Sequence, residues 1–232
     1  MKIAIHQPNY LPWIGYFDKL DQVDKFVLLD TAIHSKSEFI NRNKIKTPQG
    51  SLWLTVPLKN KEKPINELQI ASYLNWQSSH WKAIESNYKK SAFWKTYCDG
   101  FQKIYGVKWE NMATLNNTLI KYIKGLLNIK TEILLESDFQ LDFGKGTSRN
   151  MNIVNYLGGD IYVSGVGARS YNDESEFNKN DIELVYQDFQ HPVYPQRWGN
   201  FQPNLSIIDM LFNCGPETME IIRRQRRENG DE

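Results

Sequence analysis

The first thirty or so residues do most to limit what this chain can become. Lys2 to Ile5 is a short apolar run that ends at His6. A run of that length, closed at once by polar residues, reads as a buried strand. Pro8 and Pro12 follow, so the segment Gln7-Pro8-Asn9-Tyr10-Leu11-Pro12-Trp13 has φ fixed twice and forms a rigid loop rather than a helix. From there Ile14, Phe17, Leu20 and Val23 recur at helical spacing, and Lys25 to Leu29 forms a second apolar run with Asp30 at its end. Strand, loop, helix and strand in this order open a parallel sheet. Sheets of this kind take ligands at the carboxyl ends of their strands, where His6 and Asp30 stand.

The pattern pauses and then resumes. The stretch from Phe39 to Lys46 carries three cations, Thr47-Pro48-Gln49-Gly50 reads as a turn, and Ser51 to Leu58 reads as a strand. Together they form a hairpin or an extension of the sheet. Ile65 to Ile70 is expected to be a short strand. Trp76 to Tyr105 is helical in pattern, and Asn111 to Leu127 is a further helix with Leu115, Leu119, Tyr122, Ile123 and Leu126 on one face. Strands are expected again at Thr131 to Leu135, Asp160 to Ser164 and Ile182 to Tyr186. Helices are expected at Asn152 to Leu157, with Ser148 as N-cap, and at Leu205 to Phe212. The fold class is therefore α/β: an open, mostly parallel, Rossmann-like sheet flanked by helices, with a helical insert in mid-chain. The expected organisation is an α/β ligand-binding domain over 1–75 and 128–222, a helical insert over 76–127, and a charged, frayed tail over 223–232.

A chain of 232 residues builds its own core and needs no staples. Cys98 and Cys214 are too few and too far apart for a disulfide framework or a metal site, and no two His stand at metal-ligand spacing, so no metal is expected. The formal net charge of +1 lacks the basic excess of a nucleic-acid binder. No signal peptide opens the chain, and no window reaches the ~18 apolar residues of a membrane span. A soluble, cytoplasmic protein is the expectation.

Several residues are chemically equipped. His6 is a base or a donor at a strand end, or a structural cap on that end. Arg42, Lys44 and Lys46, with Asn41 and Asn43, make a donor-rich cluster that reads either as a phosphate site or as a solvated hairpin. Lys145-Gly146-Thr147-Ser148-Arg149 joins a glycine, hydroxyls and cations before a helix, the make-up of a phosphate nest, although the Walker spacing is absent. Gly15 permits close approach of backbone to ligand or to sheet. His80 is a catalytic candidate or a packing residue. His191 stands in a Pro-rich aromatic loop, and Asp209 is a buried-looking acid near a helix start.

The run from His6 to Phe17, His-Gln-Pro-Asn-Tyr-Leu-Pro-Trp-Ile-Gly-Tyr-Phe, resembles the hallmark of the WbqC-like family. The likeness continues through Asn41 to Gly50, Trp53 to Pro57, His80-Trp81-Lys82, Tyr162 to Gly165, His191 to Gln196 and Phe201 to Asn213. These blocks run in order along nearly the whole chain. The resemblance implies a protein of bacterial surface-polysaccharide biosynthesis that transfers an acyl or aminoacyl group to the amine of a nucleotide-linked amino sugar, with acyl-coenzyme A or ATP as the expected donor or cofactor. A weaker likeness to Rossmann-like nucleotidyltransferases leaves an adenylating enzyme as one alternative. A non-catalytic subunit of a polysaccharide assembly complex is another.

On this reading His6 is the base or orienter, Asp30 holds a hydroxyl or the ammonium, and His80 completes the catalytic candidates. Gln7, Asn9, Tyr10, Trp13, Asn41, Arg42, Asn43, Lys46, Ser148, Arg149 and Asp209 bind substrate. The cations take phosphates, and Tyr10 and Trp13 stack on the sugar or base.

Overall fold

The computed structural model describes residues 1–34, 39–170 and 172–230. In chain order the elements are β1 (Lys2–His6), α1 (Ile14–Asp21), β2 (Lys25–Leu28), β3 (Arg42–Thr47), β4 (Gly50–Thr55), α2 (Trp76–Tyr88), α3 (Trp94–Gly106) and α4 (Met112–Leu126). They continue as β5 (Glu132–Leu135), α5 (Gly146–Tyr156), β6 (Ile161–Gly165), α6 (Glu174–Lys179), β7 (Glu183–Gln187), α7 (Ile207–Cys214) and α8 (Thr218–Gly230).

Five strands pair side by side in the order β5-β2-β1-β6-β7, every pair parallel. The chain therefore moves outward from β1 through β2 to β5, then returns to the other side of β1 with β6 and β7. That reversal lies between β1 and β6, the place where open α/β sheets bind ligands. The fold is the Rossmann-like open sheet expected from the sequence.

Side chains alternate across the sheet and divide the core. Ala4, Phe26 and Leu28 face one layer, where Phe17 and Leu20 of α1, Leu115 and Leu119 of α4, and Leu211 and Phe212 of α7 pack. Ile3, Ile5 and Val27 face the other layer, filled by Ile153 and Val154 of α5 and Phe177 of α6. The mid-chain helices α2, α3 and α4 bury Ile84, Phe101 and Leu119 in the first of these cores. The β3–β4 hairpin pairs antiparallel as a separate two-stranded sheet.

Three local expectations are corrected. Ile65–Glu67 is a single 3-10 turn after Pro64, and Ile70 makes only an isolated bridge to Leu58, so no strand forms there. Helix α5 starts at Gly146, six residues before the expected Asn152. Lys145 takes the N-cap position without a side-chain bond, and Ser148 is an exposed residue of the first turn. The expected frayed tail is helical through Gly230, because Arg223 and Arg226 are held by acids of α1; 231–232 lie outside the described residues.

Candidate active site at the carboxyl end of the sheet

A crevice opens where β1 and β6 end. It has two adjoining lobes of about 280 and 260 Å³, and His6, Lys19, Gly165 and Gly167 border both. Each lobe is close to the lower limit of about 300 Å³ seen for small-molecule pockets. Gln7, Asn150 and Ser164 complete the polar lining of one lobe; Trp13, Gln187 and Phe189 line the other.

His6 is the last residue of β1 and stands edge-on to the Tyr16 ring, with centroids 4.7 Å apart. Its Nδ1 lies 3.0 Å from the Gln7 carbonyl oxygen. A carbonyl only accepts, so Nδ1 carries the proton and Nε2 keeps its lone pair. Burial, then the nearby charge of Lys19, hold the imidazole down to about 3, against the pull of that hydrogen bond. The ring is therefore neutral across the physiological range.

Lys19 comes from the last turn of α1 and is 3% exposed. Its Nζ sits 5.9 Å from the Phe26 ring centroid. Among the described residues no carboxylate pairs with it. Burial lowers its ammonium to about 7.

The β6 end is open because it carries glycine. A Cβ placed on Gly165 or Gly167 would meet nothing within 4 Å. By contrast, a Cβ on Gly15 would stand 2.5 Å from the Trp13 ring. Gly15 therefore lets that indole lie flat on α1, where it meets Phe189 edge-on at 5.1 Å.

The structure brings His6, Gln7 and Trp13 to this crevice and places the other expected residues elsewhere. Asp30 is buried at the end of β2 and accepts from the Ser137 amide at 3.0 Å and its hydroxyl at 2.6 Å. Arg149 donates from Nε to Glu136 at 2.6 Å and from the terminal Nη2 to Glu136 and Thr31. Both serve the β2–β5 side of the carboxyl edge without bordering either lobe. Asn9 is buried in the loop.

Tyr10 bonds His80 Nδ1 at 2.8 Å and also meets the Tyr105 hydroxyl; all three are buried, and burial lowers His80 to about 4. Asn41 and Asn43 donate to the carbonyls of Val56 and Leu11 at 2.8 and 2.7 Å, so they tie the hairpin to its surroundings. Arg42 and Lys44 lie over the Trp53 ring at 4.6 and 4.8 Å. Lys46 donates to Gln196 at 2.8 Å and to the Asn200 carbonyl at 2.6 Å. Asp209 accepts from Tyr88 and Tyr194, each at 2.8 Å.

Sequence reasoning passed over Lys19, Asn150, Gly165 and Gly167. Lys19 follows Asp18 in a helix whose apolar stripe is Ile14, Phe17 and Leu20, so it reads as a surface cation. The glycines did carry a signal: Gly-x-Gly directly after the strand that ends at the sheet's reversal.

A family model described as the WbqC-like protein family matches residues 7–221. The chain belongs to the WbqC-like family. It is also 38% identical over 231 residues to the uncharacterized protein Rv1507c of Mycobacterium tuberculosis, covering 97% of this chain and 99% of that one. No solved structure matches it. Trp13, Lys19 and the β6 glycines of the crevice lie within the span that matches the WbqC-like model, and His6 directly precedes it. Among the described residues no helix is long and apolar enough to cross a membrane, and no group of three His, Cys, Asp or Glu is placed to hold a metal ion.

Proposed function

We propose that this WbqC-like protein is an enzyme of surface-polysaccharide biosynthesis that transfers an acyl or aminoacyl group to the amine of a nucleotide-linked amino sugar. The reaction runs in the crevice between β1 and β6. The observation that carries this reading is the pairing there of a neutral imidazole, His6, with a buried amine, Lys19, that no carboxylate among the described residues balances. Both remain uncharged or easily uncharged near neutral pH, which suits handling of a substrate that arrives as an ammonium and reacts as an amine.

His6 orients the acceptor amine through its Nε2 lone pair. The backbone at Gly165 and Gly167 leaves room for the ligand to approach the β6 end, where amide groups stabilise an oxyanion. Trp13 and Phe189 give the second lobe an apolar wall for a sugar or base. The donor is an activated acyl compound, either an acyl thioester such as acyl-coenzyme A or an acid activated with ATP, and the setting is the cytoplasm.

The test is to incubate the full chain with a panel of nucleotide-linked amino sugars and acyl donors and follow the sugar nucleotide by mass spectrometry. The expected result is a mass gain equal to one acyl group, abolished in Gly165→Val. Absence of any acylated sugar nucleotide, with ATP and amino acids included in the panel, overturns the reading.

A further inference from the structure

Lys19 is built unlike its neighbours. Asp18, one residue earlier and equally buried, accepts from Gln187 at 2.6 Å and from Arg226 at 2.9 Å. Among the described residues Lys19 has no such partner, and it borders both lobes of the crevice. The titratable groups around the lobes are His6 on β1, Tyr16 on α1 itself, Tyr162 on β6 and, exposed at the mouth after β7, Asp188. The buried carboxylates of this edge are taken up by other groups: Asp30 by Ser137, Glu136 by Arg149, Asp18 by Gln187 and Arg226.

An amine substrate arrives as an ammonium and must lose a proton before its nitrogen lone pair attacks. His6 is ill suited to take that proton, since it is held down to about 3. A buried amine with no carboxylate partner among the described residues is well suited, because burial disfavours its protonated form. An acyl group parked on Lys19 itself would form a stable amide and stop turnover, so a covalent relay is disfavoured.

We propose that Lys19 is the proton acceptor of the crevice, taking a proton from the substrate ammonium so that the freed nitrogen lone pair attacks an acyl thioester. The inference rests on the amine-acylation reading above. The substrate N–H bond breaks and its proton passes to the Lys19 lone pair. The nitrogen forms the C–N bond to the acyl carbon, the C–S bond breaks, and the departing thiolate takes the second proton from the nitrogen. Lys19 then releases its proton to water.

The experiment has two arms on the full chain. In the first, the 13Cε resonance of Lys19, assigned by its loss in Lys19→Met, is titrated from pH 5 to 11. The expected midpoint lies near 7, several units below the surface lysines. In the second, kcat/KM for amine acylation is followed against pH. Wild type is expected to fall on the acid side with a midpoint near 7. Lys19→Met is expected to lose about 100-fold or more in kcat with little change in KM, and to lose that limb, while its melting temperature holds.

A midpoint near 10, or wild-type turnover by Lys19→Met, overturns the proposal and leaves amine acylation standing. A displaced midpoint in a protein that acylates no amine overturns the acylation reading, and the acceptor role with it.

Discussion

Asp18 and Lys19 are consecutive, both buried, and oppositely served: Asp18 carries Arg226 and Gln187, and Lys19 carries no counter-charge among the described residues. The contrast links the end of the chain to the crevice. Arg226 of α8 fastens that helix to α1 through Asp18 and, at 3.1 Å, through Asp21. Gln187 ties the same carboxylate to the end of β7. The helix that bears Lys19 is thereby held from two sides.

Arg226→Ala leaves the Asp18 carboxylate buried with its charge uncompensated. Fully buried pairs broken this way cost about 3–5 kcal/mol. Arg226 keeps 29% exposure, so about 2–3 kcal/mol is expected, or a fall of about 5–10 °C in melting temperature for a chain this long. Differential scanning fluorimetry reads this directly. A chain ended before Arg223 should lose at least as much, and an unchanged melting temperature would return the tail to a solvated extension.

Gly165→Val and Gly167→Val separate binding from folding. The Cβ position at each is open, and neither backbone lies in the left-handed region, so both variants should melt within about 1 °C of wild type. The added side chains occupy the crevice, and any small-molecule thermal shift should disappear. Gly15→Ala should behave oppositely, with a lower melting temperature, because its Cβ drives into the Trp13 ring. A ligand shift that survives both valines would place the site elsewhere.

The strand-loop-helix-strand opening was legible because β1 and β2 carry short apolar runs and the prolines forbid other readings of 7–13. The sheet's reversal was not, since it depends on which strands pair, and Ile133 and Val163 look alike as strand residues. Asp30 and Arg149 were legible as chemically equipped groups, but their engagement with Ser137 and Glu136 was not: those partners come from a turn after β5 that no local pattern announces. The α8 charges read as a tail because Asp18 and Asp21, which hold them, lie some two hundred residues away. Lys19 was hidden for a related reason. Burial of one polar helix residue is a tertiary property, and helical spacing assigns such a residue to solvent.

Asp209 and Lys46 make a separate test. Asp209 collects two tyrosine hydroxyls, and Lys46 holds Gln196 and the Asn200 carbonyl, so the long segment between β7 and α7 is fastened to the hairpin and to α2. None of these groups borders the crevice. Asp209→Asn and Lys46→Met should each destabilise by about 1–3 kcal/mol in urea unfolding, the cost of buried groups left unpaired. The affinity of the folded protein for its ligand should stay within about twofold. A selective loss of affinity with stability intact would make them ligand contacts after all.

The pH dependence of stability follows from the lowered histidines: His6, His80 and, moved by burial in the same direction, His191. His80 in the folded chain is held to about 4 and His6 to about 3, both below the ordinary 6.5, and burial is the first cause in each. Between these values and 6.5 the unfolded chain binds protons that the folded chain does not, so stability rises with pH across that window and is lost as pH falls. Each histidine contributes a slope of about 1.4 kcal/mol per pH unit inside its window. Asp18 and Asp209, raised by burial, act in the opposite sense at its acid end. The difference between wild type and His80→Gln isolates the histidine part. Wild-type stability minus that of His80→Gln, measured by urea unfolding, should be flat above pH 7 and shrink steadily from pH 6 to pH 4. A difference that stays constant through that range would mean His80 titrates as it does in water and is not enclosed by Tyr10 and Tyr105.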